Sequence, residues 1–395
     1  MRGFLQRNAF LLRFALLSLF MVISVGLAKF TTTLYALELG AQGWLLAAMA
    51  GAQSVGIVFT SLPVGFWVER FGPARLFVAG SWAMGVVYVL IPAVPHALYL
   101  LLLTALISFL MPLRFVSLNT VFMLALERLG QGRAGWQRGA HMSGMFLLGP
   151  VLAAAAIPAL GHAGSYWLIG AMFFATALLA APVLNHHPQT TTGNAARVPM
   201  LQSVRALWQL PEVRALAAQE CAVQAAHMYY AFYIVVIAVQ QLGLPALGAG
   251  SLVAVQGASF IAALLLLGPA VSRFGPRATV LGGGALAVLA LLLLALAQHM
   301  AWLWVGGALL GVGLGLLQIH TLTQFAQVGA RLGRGRVSGL SALAGPSGGL
   351  VGGLLGGTLG AVVGLQTVFL LLVPVFAGVA WVAYRQPVRA QMISA

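Results

Sequence analysis

The chain has 395 residues, of which 61% are hydrophobic and only 6% charged, with a mean hydropathy of +0.99. An ordinary soluble domain carries about 25% charged residues, so no single water-soluble core can hide this much apolar surface. The formal charge of +15 and the pI near 11.5 would suit a nucleic-acid binder, so where the charges fall decides between nucleic acid and membrane.

Apolar windows long enough to cross a hydrocarbon core of about 30 Å fall at 10–34, 44–66, 76–94, 97–125, 139–160, 164–184, 211–241, 247–270, 278–298, 301–326, 337–362 and 364–384. Twelve membrane helices are predicted. Arg2, Arg7 and Arg13 ahead of the first window imitate a signal peptide, but no small-residue cleavage site follows, so this is the first membrane helix. Between the windows, basic residues occupy alternate connections only: Arg70 and Arg75; Arg128, Arg133 and Arg138; Arg197, Arg205 and Arg214; Arg273 and Arg277; Arg331, Arg334 and Arg336; Arg385 and Arg389. The other connections, 35–43, 95–97, 161–164 and 299–301 among them, hold no Lys or Arg. By the positive-inside rule the Arg-bearing side, with both termini, is cytoplasmic, and the protein is a multi-pass protein of the inner or plasma membrane. Arginines dispersed over short loops do not make a nucleic-acid surface. The one long polar connection, 185–210, divides the chain into an N-terminal six-helix bundle, 1–184, and a C-terminal one, 211–395.

The halves repeat. Gly65 to Arg75 (GFWVERFGPAR) aligns with Gly268 to Arg277 (GPAVSRFGPR) at a constant offset, 268 − 65 = 275 − 72 = 203, in the same turn of each half. Gly149-Pro150 in the fifth window is echoed by Gly345-Pro346 in the eleventh, offset 345 − 149 = 196. Both point to duplication of a six-helix unit with substrate held between the halves near the midplane.

On these residues the chain resembles the major facilitator superfamily over essentially its whole length. Gly65 to Arg75 resembles that family's Gly-x-x-x-Asp-Arg-x-Gly-Arg-Arg loop, with Glu69 for Asp and Pro73 where a basic residue is usual. Gly149-Pro150 resembles a motif of its proton-coupled exporters, with Ala153 and Ala154 where glycines are common. The resemblance implies an all-α membrane fold of two pseudo-symmetric six-helix bundles. It also implies that Glu69 latches the cytoplasmic gate against the other half, the alternative being a local pair with Arg70 or Arg75. Gly65, Gly72, Gly268 and Gly275 would then serve close packing and positive-φ turns, and Arg70, Arg75 and Arg273 would anchor the cytoplasmic face. The eleventh window carries a doubled small-xxx-small ladder that includes Gly345, Gly349 and Gly353, a helix-packing signal.

Ionisable groups inside the windows are costly unless they face a cavity or a partner. Arg114 lies deep in the fourth window with Ser117 and Asn119 nearby; it resembles the family's buried arginine associated with proton coupling, and is expected to line the cavity, the alternative being a structural arginine held by carbonyls. Lys29, the only lysine, either snorkels outward or faces the cavity, where its amine could bind an anion or titrate. Glu220 is the one acid clearly within a helix, and a carboxylate held from water takes up a proton more readily. Gln224 and His227, at i+4 and i+7, share its face, which also turns Tyr230 and Tyr233 inward. The alternative is a salt bridge of Glu220 to a cytoplasmic arginine. Gln318 and His320 begin a polar stripe in the tenth window.

The His141/Met145 and Met142/Phe146 pairs at i, i+4 superficially suggest a soft-metal site, but with one cysteine, Cys221, and no second His-Met pair copper handling is rejected. No Walker loop or HExxH is present, and the chain has no Asp to phosphorylate. The expectation is therefore a non-enzymatic, cofactor-free monomer. It would be a secondary transporter working by alternating access, most readily a proton-coupled exporter of a small organic molecule such as a drug-like compound, siderophore or anionic metabolite. The alternatives are a proton symporter bringing in a metabolite or metal chelate, and a receptor or scaffold that kept the fold without flux.

Overall fold

The structure, a computed structural model, describes residues 9–129, 141–184, 208–332 and 334–385. Much of the predicted linker, 185–207, lies outside them, as do Arg2, Arg7, Arg133, Arg138, Arg197, Arg205 and Arg389. The described residues are helical and contain no strand, as expected of a bilayer-spanning chain whose backbone groups must be satisfied within each segment.

The helices are α1 Ala9–Glu38, α2 Trp44–Phe71, α3 Pro73–Leu90 and α4 Ala97–Leu129. A π-helical turn, Gly144–Leu148, then leads into the run Gly149–Leu184. Gly161 breaks this run at φ 68°, ψ 178°, leaving α5 up to 160 and α6 from 162. There follow α7 Pro211–Val236 with a π turn at Ile237–Gln241, α8 Ala246–Leu266, α9 Gly268–Leu296, α10 Met300–Leu332, α11 Arg334–Thr358 and α12 Val368–Arg385. Ten described stretches are long and apolar enough to cross a bilayer. One of them, His141–Ala180, holds two crossings separated by Gly161. The glycine-rich α11 supplies the twelfth.

The repeat is written in the backbone. Gly72 (φ 86°, ψ 146°) turns α2 into α3 with Pro73 at the first helical position, and Gly275 (φ 83°, ψ 168°) with Pro276 makes the same turn inside α9. Two more left-handed glycine pairs keep the same spacing: 243 − 40 = 275 − 72 = 364 − 161 = 203. Each sits at a helix junction where a side-chain-bearing residue would be strained. Packing follows the same duplication: α1 with α5, α2 with α4 and α3 with α6 in the first half, and α7 with α11, α8 with α10 and α9 with α12 in the second. Across the halves α2 meets α11, and α5 meets α8.

On this register the residue matching Gly149 is Gly352, not Gly345, which corrects the Gly-Pro echo by two helical turns. Gly149 packs on Gly26 and Leu27 of α1, and Gly352 correspondingly packs on Ala225 of α7. A Cβ on Gly345 would sit a loose 3.9 Å from the Glu220 Oε1. Pro346 therefore has no counterpart in Pro150, whose carbonyl lies against Gly250 of α8.

The doubled ladder of α11 resolves into two faces. Gly348, Gly352 and Gly356 lie on Cys221, Ala225 and Tyr233 of α7, within the second half. Gly349, Gly353 and Gly357 lie on Ser54, Ala50 and Ala47 of α2, across the halves. Because α2 runs from the far face toward the face that carries both chain ends, and α11 the reverse, these cross-half contacts belong to the far halves of both helices. Gly250 of α8 meets Ala154, Pro150 and Phe30 at a similar depth. The far face is thus sealed by small residues that let backbones touch.

Candidate functional site

Among the described residues, three polar clusters inside the bundle include the candidate site residues, and one of them lies between the halves. The first is a ring of hydrogen bonds between α7 and α10. Glu220, 5% exposed, accepts at Oε1 from the Gln224 amide (3.0 Å) and at Oε2 from the Gln318 amide (2.9 Å), while Gln224 also donates to Gln318 Oε1 (3.1 Å). One step along, the Gln219 amide is shared among the Leu317 carbonyl, Thr321 Oγ1 and His320 Nδ1, each at 3.1 Å. Among the described residues Glu220 has no cationic partner and is held by neutral amides alone. No salt bridge of Glu220 to an arginine, the alternative reading, occurs among the described residues; Gln224 shares its ring, and Gln318 of the polar stripe in the tenth window joins them.

The second place is the junction of α1, α5, α7 and α8. His227 is 4% exposed, its ring 4.1 Å from that of Phe146 in the π turn leading into α5 and 5.2 Å, edge-on, from that of Phe260 in α8. Its Nε2 has no hydrogen-bond partner among the described residues. The Lys29 ammonium of α1 is close enough to act on this ring electrostatically. Gln256, one turn before Phe260 on the same face of α8, is fully buried with both amide atoms unpartnered, and in α2 the buried Gln53 leaves Nε2 unpartnered. Glycine brings the elements together, since Gly257 lies directly on Phe146 and Gly26 on Met145.

His227 and Glu220 therefore do not share a site, although seven residues apart on α7. Over that rise of about 10 Å the neighbours change from α10 and α11 to α5 and α8, so the expected Glu220–His227 face is split in two. Tyr230 also leaves the cavity: it donates to the Leu252 carbonyl (3.0 Å) and abuts Gly307, inside the second half. Tyr233 is bound likewise to the Gly353 carbonyl at 2.7 Å.

The third place is Arg114, and it lies within the first half. The guanidinium is wholly buried, 4.0 Å from the Phe173 ring centroid and 5.4 Å from that of Phe77, and donates to Thr176 Oγ1 at 2.8 Å. Phe77 belongs to α3 and Phe173 and Thr176 to α6, so Arg114 points away from the second half; the expectation that it lines the space between the halves is not met. Nε and Nη1 have no partner among the described residues, nor does the Ser117 hydroxyl. Asn119 is exposed.

Of the loop residues, Gly72 and Gly275 take the expected positive φ. Close packing at Gly65 and Gly268 is not seen, for a Cβ there would meet nothing within 4 Å. Arg70 and Arg273 are exposed, Arg75 is exposed, and the Glu69 side chain, on which the latch reading turns, lies outside the described atoms. No cluster of three metal-ligating side chains occurs among the described residues.

Sequence reasoning that searched for ionisable groups passed over Gln53, Gln219 and Gln256, each an uncharged amide in an apolar run; that contrast was the available signal. It also passed over Glu38 and His162, which join across the far ends of α1 and α6 at 2.6 Å with Tyr35 stacked on the imidazole at 5.1 Å. That pair straps two helices of one half.

Among solved structures, the nucleoside transporter NupG superposes with a TM-score of 0.75 at 14% identity over 95% of this chain and 99% of that one. A single-substitution mutant of NupG gives 0.78, again at 14% identity, over 94% and 98%. No curated protein matches the sequence. Residues 9–328 match the Major Facilitator Superfamily, and residues 221–392 match it a second time. The apolar helices, the paired turns and this match make the chain a multi-pass membrane protein, a transporter rather than an enzyme, that belongs to the Major Facilitator Superfamily.

Proposed function

We propose that the protein is a secondary active transporter of the cytoplasmic or inner membrane that exports a small organic molecule in exchange for protons by alternating access. The arginine-bearing loops and both termini then face the cytoplasm, and the glycine seal between α2 and α11 is the closed outer gate of a cytoplasm-facing state. The observation that carries the reading is the group of buried unpartnered polar side chains, Gln53, His227 and Gln256, at or beside the junction of the two halves, with Lys29 close enough to act on His227. Buried polar groups without partners cost free energy that a structural role does not recover, whereas a visiting ligand satisfies them.

Proton exchange is assigned to Glu220. Its amide partners can rotate to present oxygen instead of nitrogen, so both the charged and the protonated carboxyl find hydrogen bonds in the same ring. Export rests on the likeness of Gly149-Pro150 to the exporters' motif, and this element sits where α5 touches both α1 and α8. Inward symport of a neutral, nucleoside-sized molecule is the second reading, favoured by the unpartnered amides of Gln53 and Gln256.

In everted vesicles acidified inside by an imposed gradient, adding a substrate should discharge the gradient as the substrate accumulates in the lumen. Accumulation inside intact cells that a protonophore collapses would contradict export and favour symport. Absence of flux under any gradient, with ligand binding retained, would favour the receptor alternative.

A further inference from the structure

The junction between the halves contains a cation and, among the described residues, no acid. The α1 helix continues to Glu38, so Lys29 lies nine residues from its far end, about 14 Å at 1.5 Å per residue. A lysine side chain cannot snorkel that distance. Lys29 as a residue is partly exposed, but its ammonium is desolvated and has no hydrogen-bond or ion-pair partner among the described residues, and it acts electrostatically on the imidazole of the opposite half. Glu220 is turned into its own ring between α7 and α10, and Glu38 is engaged by His162 at the far end. Arg114, the other deep cation, is walled off by Phe77 and Phe173. Lys29 is thus the positive charge available to a ligand at the junction, beside the free His227 Nε2, the free Gln256 amide and the rings of Phe146 and Phe260.

We infer that the molecule held between the halves is a small organic monoanion, a carboxylate on an apolar, ring-sized body. Lys29 Nζ takes the carboxylate, the Gln256 amide and His227 Nε2 supply neutral hydrogen bonds, and Phe146 and Phe260 form walls for the ring. A desolvated ammonium in a low-dielectric site favours one opposing charge strongly, and a neutral ligand leaves it unpaired. This specificity rests on the transport reading above, because it assigns the same central site.

The test uses the full-length purified protein at constant chloride concentration and pH. Its melting temperature is followed against benzoate, phenylacetate and 4-hydroxybenzoate, and against the uncharged comparators benzamide, phenylacetamide and uridine. Ligands that bind the folded state raise the melting temperature by mass action. The acids are expected to do so with a saturable dose dependence, and the uncharged comparators to give no shift. Charge-assisted hydrogen bonds contribute about 1.5–3 kcal/mol, so Lys29→Gln should weaken acid binding by about 10- to 100-fold and Lys29→Arg should retain it. Equal shifts from acids and amides, shifts from uridine alone, no shift from any acid, or undiminished acid binding in folded Lys29→Gln would each overturn the assignment. The acid-against-amide comparison in the unaltered protein decides the matter even if Lys29→Gln fails to fold. Flux in proteoliposomes is scored separately. Acid-selective, Lys29-dependent binding without flux would remove the transport reading and leave this one standing; flux with selective binding of neutral ligands would do the reverse.

Discussion

Arg114 and Lys29 show how burial and direction separate two cations that a linear reading treats alike. Both are basic residues deep in apolar helices, and depth is legible from residue counts along a window. Direction is not, because it depends on which neighbours each helix face meets. Packing turns Arg114 toward α3 and α6, where two aromatic faces and Thr176 hold it, and it turns Lys29 toward the other half. Among the described residues the Thr176 hydroxyl is the hydrogen-bond partner of the Arg114 guanidinium. Thr176→Val should therefore lower stability by about 1–3 kcal/mol, measured as a lowered unfolding midpoint in detergent, while leaving ligand affinity unchanged. A shift in affinity comparable to that of Lys29→Gln would return Arg114 to the cavity. At Glu220, replacement by Gln keeps the size and the hydrogen-bonding capacity of the ring but cannot exchange a proton. Glu220→Gln should abolish flux driven by a pH gradient and preserve counterflow of substrate against substrate; retained gradient-driven flux would exclude this carboxylate from coupling.

At the scale of elements, the predicted windows agree with the helices because twenty-residue apolar runs bounded by arginines leave little freedom. The eleventh was legible by its glycines rather than by hydropathy, and only contact data divide that ladder into a face for α7 and a face for α2. The Gly149/Gly345 echo misled because identical dipeptides need not be equivalent positions. The constant spacing of left-handed glycines set the register instead, a backbone property that composition does not display. The two ladder faces should respond differently to the same added volume. Gly352→Leu drives a side chain into α7 and should destabilise the second half by more than the ~1–3 kcal/mol typical of overpacking, seen as loss of monodisperse protein. Gly353→Leu meets Ala50 of the other half; each half should still fold, with a near-normal unfolding midpoint, but the far-face seal should fail and flux fall at least tenfold. Equal tolerance at both positions would contradict the division of faces.

At the scale of the molecule, duplication and the number of crossings were readable from the chain. The closed far face was not, since a transporter sequence encodes more than one arrangement of its halves and marks none of them. Alternating access requires that the α2–α11 seal part in every cycle. Ser54 and Gly349 face each other across it, with 3.8 Å between the Ser54 Cβ and a Cβ built on Gly349, the mean Cβ separation of a disulfide being about 3.8 Å. The most direct measurement is substrate flux through proteoliposomes of Ser54→Cys/Gly349→Cys, with Cys221 replaced by Ala, before oxidation, after oxidation and after reduction. Full cross-linking that stops flux, with recovery on reduction, is the predicted result; flux that continues at the unlinked rate through fully cross-linked protein would contradict the account.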